Sequence, residues 1–271
     1  MDLYLRMPIH VSMDGDVYMH IDAVRIIDFE EMDLNGATVI AGFPSIGLVS
    51  TIAANYLIDA LNLKQVGALD SEDFPALSVV HTGEPLSPVR IYAGMQPSGH
   101  KIAVFVSEFK PKPHLINSIS QSIMQWVTEK NCQLLISPEG MVVEGKEEEC
   151  NVTAEAYAIG STSQIRQMLA MKNIPQFRNG IIAGVSGVLL NKGKQNDFNV
   201  VSILTEAHPK YPDARAAAAA INVIASIIDV DINVAPLYEE SERIEQKLQK
   251  FHQQAKPMVS TNRAPQPNMY G

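Results

Sequence analysis

The sequence predicts an α/β layer fold, and three observations carry that prediction. Residues 37–43 (Ala-Thr-Val-Ile-Ala-Gly-Phe) form a short apolar run, β-branched at its centre, as in a strand buried on both faces. A glycine-bearing turn, Pro44-Ser45-Ile46-Gly47, and an apolar helical stretch over 48–61 follow it directly. Farther along, strand-like runs keep alternating with amphipathic helical ones, the order expected of helices packed on a sheet. With 271 residues, 46% of them hydrophobic, the chain can fill a substantial core.

The remaining elements follow in order. Strands are expected at 66–69, 76–80, 89–93 and 102–106, with Gly83, Pro85, Pro88, Pro97 and Gly99 marking the turns between them. Pro111 and Pro113 lead into a helix over 114–130, where Leu115, Ile116, Ile119, Ile123, Trp126 and Val127 recur at helical spacing. A strand at 133–137 comes next, then a helix over 153–171, a glycine-bearing apolar segment at 181–190 and a late strand at 199–205. The alanine-rich run 213–229 reads as a helix with Asp213 as its cap.

After this body, expected to span 1–235, residues 236–255 read as a charged helix whose apolar stripe is narrow: Leu237, Ile244, Leu248 and Phe251. That stripe suits packing on its own body or on the same helix of another subunit, with a slight preference for the oligomer. Residues 256–271 carry three prolines and little apolar content, so a flexible tail is expected, ending in Met269-Tyr270-Gly271. A tyrosine on such a terminus has no core of its own to join. Its ring is either idle in water or kept for a partner.

Charge and composition exclude several functions. Thirty acidic against twenty-one basic residues give a net charge of −9, which repels a phosphate backbone, so nucleic acid is not expected as a partner. No run approaches the roughly 20 apolar residues of a membrane helix, and Met1 to Pro8 has no signal-peptide pattern, which points to the cytoplasm and to no membrane. Cys132 and Cys150 lack the spacing of a zinc or redox motif and read as unpaired thiols. The seven histidines form no ligand motif, so neither a metal nor a cofactor is expected.

The segment Gly42-Phe-Pro-Ser-Ile-Gly-Leu-Val-Ser50 resembles the Gly-Phe-Pro-Gly-Ile-Gly-Leu-Val turn of the archaeal and bacterial proteasome-assembly-chaperone family. Asp73-Phe74-Pro75, Ser107-Glu108-Phe109, Glu139-Gly140-Met141, Gly184 to Leu190 and Tyr211 to Ala217 follow in the order that family shows. The resemblance covers residues 37–228; Ser45 stands where the family often carries glycine. It implies a three-layer α/β/α sandwich similar to the phosphorylase and nucleosidase fold, assembled as a homo-oligomer. It also implies a non-enzymatic factor whose hydrophobic-tyrosine-any tail (Met269, Tyr270, Gly271) docks into α-ring pockets of the proteasome core particle, as assembly chaperone or as ATP-independent activator.

Other motifs have blander readings. Gly42, Phe43, Pro44 and Gly47 lie between a strand and a helix, where backbone amides could hold an anion. The Lys-Ser or Lys-Thr of a nucleotide loop is missing and Pro44 removes a donor, which favours a structural turn. Ser186 lacks the second glycine of a nucleophile elbow, position 188 being valine. Glu108 and Glu139 each end an expected strand and could face one another as an acid–base pair. With the Gly42–Gly47 turn, they motivate the alternative of a nucleosidase-like enzyme or small-ligand binder. The acidic run 144–149 reads as a solvated loop, and Asn151-Val-Thr153 as a chance match to a glycosylation acceptor.

Overall fold

Four parallel strands form the centre of the fold: β4 (Thr38–Gly42), β9 (Lys101–Ser107), β10 (Leu134–Met141) and β12 (Val200–Glu206). The computed structural model describes residues 10–11, 17–18, 24–142 and 154–240. Within these, β3 (Arg25–Asp28), β5 (Lys64–Asp70), β8 (Val89–Met95) and β11 (Ala156–Gly160) add to the central four antiparallel, completing an eight-stranded mixed sheet. Its order is β11-β12-β10-β4-β9-β8-β5-β3. Two small hairpins stand apart: β1 (His10–Val11) with β2 (Val17–Tyr18), and β6 (Val79–His81) with β7 (Glu84–Leu86).

Residues of each central strand alternate between two cores, because successive side chains point to opposite faces. Ile40, Ile102, Val104, Val106, Leu134, Ile136, Val201 and Ile203 meet helices α1 (Val49–Ala60), α3 (Ser163–Met171) and α5 (Ala214–Ile228). Val39, Ala41, Ala103, Phe105, Leu135 and Val200 meet α2 (Pro113–Glu129) and α4 (Gly184–Gln195) on the other face. The result is an α/β/α sandwich with both faces of its parallel strands covered, which is why those strands read as unbroken apolar runs.

Small residues set the layer spacing. A Cβ added at Gly42 would lie 2.3 Å from the Cβ of Ala54, so β4 and α1 approach as closely as two backbones with one methyl between them allow. On α5 the alanines 216, 217, 218 and 220 are fully buried, and the Asp213 carboxylate caps the helix by accepting from the Ala216 amide at 3.0 Å, as its position before the alanine run predicts.

Two expectations change, and one segment read without a class gains one. Residues 156–160 form the edge strand β11 rather than the first turns of a helix over 153–171, and α3 begins only after Thr162, whose Oγ1 accepts from the Ile165 amide at 3.2 Å. Gly160-Ser161-Thr162-Ser163 carries the break between the two elements, and pairing with β12 makes the stretch before it a strand. Of the strand expected at 76–80, only Val79 and Val80 are extended, in the β6–β7 hairpin closed by Thr82 and Gly83 with positive φ. The apolar segment 181–190 is helical from Gly184 onward and runs to Gln195.

Leu237 is buried in the α1/α5 core, so the start of the C-terminal stripe packs on its own body. Ile244, Leu248 and Phe251, the tail 256–271, Cys150, the acidic run 144–149 and Asn151 to Thr153 lie outside the described residues.

Gly42→Ala forces the added methyl group into Ala54 and should destabilise the fold by about 1–3 kcal/mol in urea unfolding. Adding Ala54→Gly in the same chain should recover part of that loss. A Gly42→Ala variant as stable as the parent would contradict the close packing of β4 on α1.

Candidate functional site

The carboxyl ends of β4, β9, β10 and β12 all open toward one edge of the sandwich. The helix after β4 covers one face and the helix after β9 the other, so the chain splits around this edge, the position where open α/β sheets form clefts. A cleft of about 740 Å³ lies there, lined by residues 43–46, Lys110, Pro111, Glu139 to Val142 and Ile181 to Val185 among others.

One wall is the 42–47 turn, locked by hydrogen bonds. Ser45 Oγ takes the amides of Ser50 and Gly140, each at 3.3 Å, and is hydrogen-bonded to Ser50 Oγ at 2.9 Å. Ser50 Oγ in turn donates to the carbonyl of Pro138. Ser45 has extended backbone (φ −124°), a conformation open to any residue, so serine in place of the family's glycine costs no strain and supplies the hub hydroxyl. Gly47 and Leu48 both have positive φ, and the Gly47 carbonyl accepts from the Asp213 amide at 2.8 Å. A Cβ on Gly140 would sit 2.1 Å from the Ile46 carbonyl oxygen.

The Leu48 amide donates to the Ser45 carbonyl at 3.1 Å and the Ser50 amide to Ser45 Oγ. Gly42 meets α1, Phe43 is buried in the α2/α4 core, and Gly47 abuts α5. Of the four named turn residues, Phe43 and Pro44 are part of the cleft lining.

Glu139 stands at the floor. It shares a face of β10 with Ser137, whose Oγ is hydrogen-bonded to Ser186 Oγ in the first turn of α4. Ser186 Oγ donates to Glu139 Oε1 at 2.6 Å. Burial raises the Glu139 carboxyl from 4.5 to about 7, against the opposing pull of the Ser186 hydrogen bond and the nearby Lys110 charge. The group therefore titrates near neutrality, in the range of a general acid, a general base or a switchable hydrogen-bond donor.

Glu108 does not join it. Its carboxylate binds the buried Arg90 guanidinium at 2.5 Å, and Arg90 is further held by the Ser87 carbonyl at 3.0 Å. Strand parity puts Glu108 with Val106 on the α1/α5 side of the sheet and Glu139 with Ser137 on the α2/α4 side. The expected acid–base pair is thus two carboxylates on opposite faces, one neutralised by arginine. Ser186 is a helical residue bonded to a carboxyl and another hydroxyl, which is not the strained turn of a nucleophile elbow.

Sequence reasoning named Glu139 and Ser186 separately but missed their contact, and missed Lys110 and Ile181 at the rim. The spacing Ser137-x-Glu139 on one strand face was the available signal, but it does not reveal which helix start lies opposite. Burial pushes the Cys132 thiol up to about 11, as for an inert packed cysteine. No described helix is long and apolar enough to cross a membrane, and the described residues hold no cluster of three or more His, Cys, Asp or Glu that could bind a metal.

A three-layer sandwich with a locked strand-to-helix turn and a carboxyl-floored cleft defines a class of α/β proteins rather than one activity. The chain belongs to the PAC2 family, whose model matches residues 39–252. It is 28% identical over 248 residues to MJ0106 of Methanocaldococcus jannaschii, covering 91% of this chain and 98% of that one. Among solved structures, it is similar to Pyrococcus furiosus PbaA, described as an archaeal homolog of proteasome-assembly chaperone: 28% identity, TM-score 0.77, 88% of this chain and 94% of the other. Pyrococcus furiosus PbaB, described as an archaeal proteasome activator, shares the fold at 21% identity and a TM-score of 0.76, over 86% of this chain and all of the other.

Because burial raises the Glu139 carboxyl in the folded state, its contribution to stability is fully present below about pH 4.5 and is lost as pH rises through about 7. Glu139→Gln removes this loss. The stability of the variant relative to the parent should therefore grow by about 2 kcal/mol between about pH 5 and pH 8 in urea titrations. A difference independent of pH would contradict the assignment.

Proposed function

We propose that the protein is a non-enzymatic factor of the proteasome core particle, acting as an assembly chaperone, an activator or both. The observation that carries this reading is the PAC2 match over most of the chain together with 28% identity to a proteasome-assembly-chaperone homolog. The terminal sequence Met269-Tyr270-Gly271 supplies the contact. In this reading Tyr270 fills a pocket between α-subunits, Met269 adds apolar contact, and the Gly271 carboxylate pairs with a cation at the pocket floor.

The energetics require more than one tail. Burying Met269 and Tyr270 releases roughly 5–7 kcal/mol gross by area. Ordering each backbone residue costs about 1–2 kcal/mol, and lost translation and rotation cost several more, so a single tail binds weakly. A homo-oligomeric body that presents several tails makes later docking intramolecular and adds about 10²–10⁴ in avidity. The sixteen residues from Lys256 to Gly271 extend at most about 50 Å, enough to reach neighbouring pockets on a ring. The body therefore sets valency and the tail supplies contact.

The test compares intact protein with a chain lacking residues 269–271 in co-purification with core particles and in peptide hydrolysis by mature particles. Deletion should abolish binding while leaving the fold unchanged. Stimulated hydrolysis lost on deletion assigns the activator role, and binding without stimulation assigns assembly. Binding that survives the deletion would overturn the tail contact.

A further inference from the structure

The cleft at the strand ends has a chemistry that tail docking does not use. Its volume of about 740 Å³ falls in the range of small-molecule sites. Most of its lining is apolar, including Ile46, Ile116, Met141, Val142, Ile181 and Ile182, and among the described residues its charged lining is Lys110 and Glu139. Burial of apolar surface would reward an organic body there; the two polar side chains would fix its orientation.

The electrostatics select the charge of that body. Glu139 uses Oε1 to accept from Ser186, while Oε2 has no hydrogen-bond partner among the described residues. Lys110 is exposed at the rim and makes no hydrogen bond or ion pair with them. Helices α2 and α4 begin at the same cleft, at Pro113 and Gly184, and neither is capped by its preceding side chain, Lys112 or Ala183. Their positive ends and the lysine repel a ligand amine. A ligand carboxylate would instead meet the Lys110 ammonium and accept the proton donated by a neutral Glu139.

We propose that this cleft binds a carboxylate carried on a small apolar body, with Lys110 and Glu139 holding the carboxylate and the isoleucine-rich rim covering the rest. Either a free organic acid or the terminus of a peptide could present that group. The inference is independent of the proteasome reading, since it uses none of residues 269–271.

Calorimetric titration of the full chain at about pH 6, where Glu139 retains its proton, tests it with hexanoate, hexylamine and hexanol. Hexanoate should bind and the other two should be at least about tenfold weaker. Lys110→Glu should weaken hexanoate by at least about tenfold, and Glu139→Gln, which keeps a donor, should retain it. Ile181 is 94% exposed, so Ile181→Asp should weaken hexanoate without disturbing the fold. Acetyl-Met-Tyr-Gly with a free C-terminus, run beside hexanoate, separates the sources: tighter tripeptide binding assigns a chain terminus, and tighter hexanoate binding assigns a free acid. No binding of either carboxylate, equal binding of hexylamine, or an unchanged Lys110→Glu variant would overturn the proposal.

Discussion

The structure depends on one close approach, that of the 42–47 turn to the end of β10. Gly42 lets β4 lie against Ala54 of α1, and Gly140 lets β10 pass the Ile46 carbonyl. Ser45 Oγ, reached by the Gly140 and Ser50 amides and by the Ser50 hydroxyl, closes the gap with hydrogen bonds. Because Asp213 both binds Gly47 and caps α5, the same turn also fixes where the alanine-rich helix begins. A larger residue at 42 or 140 would separate β4, α1 and β10 together.

That constraint shapes the cleft. With the turn held against β10, Glu139 is left at the floor with Ser186 as the hydrogen-bond partner of its carboxyl among the described residues, and desolvation raises that carboxyl toward neutrality. Glu108, a similar carboxylate at the end of the next strand but one, has a different fate because the opposite sheet face offers it Arg90. The contrast is one of partners: a guanidinium pairs with one carboxylate, while burial raises the other carboxyl against the opposing pull of the Ser186 hydroxyl.

Much of this was legible in the sequence where side-chain pattern alone decides structure. The buried strand at 37–43, the helices around Trp126 and over 213–229, and the Asp213 cap all follow from periodicity and capping chemistry. What pairing decides was not legible. Residues 156–160 become an edge strand because β12 has a free side, and Arg25 to Asp28 become the opposite edge, where Asp28 accepts from Trp126 Nε1 at 3.2 Å. The site was half legible for the same reason: Glu139 and Ser186 were recognisable as polar residues in strand-end positions, but their meeting depends on how α4 seats on β10. The tail rests on composition and on a resemblance alone, and it lies outside the described residues.

In the proposed function, the locked body supplies architecture and the ring at position 270 supplies partner contact. The most direct measurement places a photo-crosslinking phenylalanine analogue at that position, irradiates the full chain with core particles, and maps the adduct by mass spectrometry. Adducts on α-subunits, abolished by excess unlabelled protein, are the predicted result. Adducts confined to the chain's own body, with none on the particle, would contradict it.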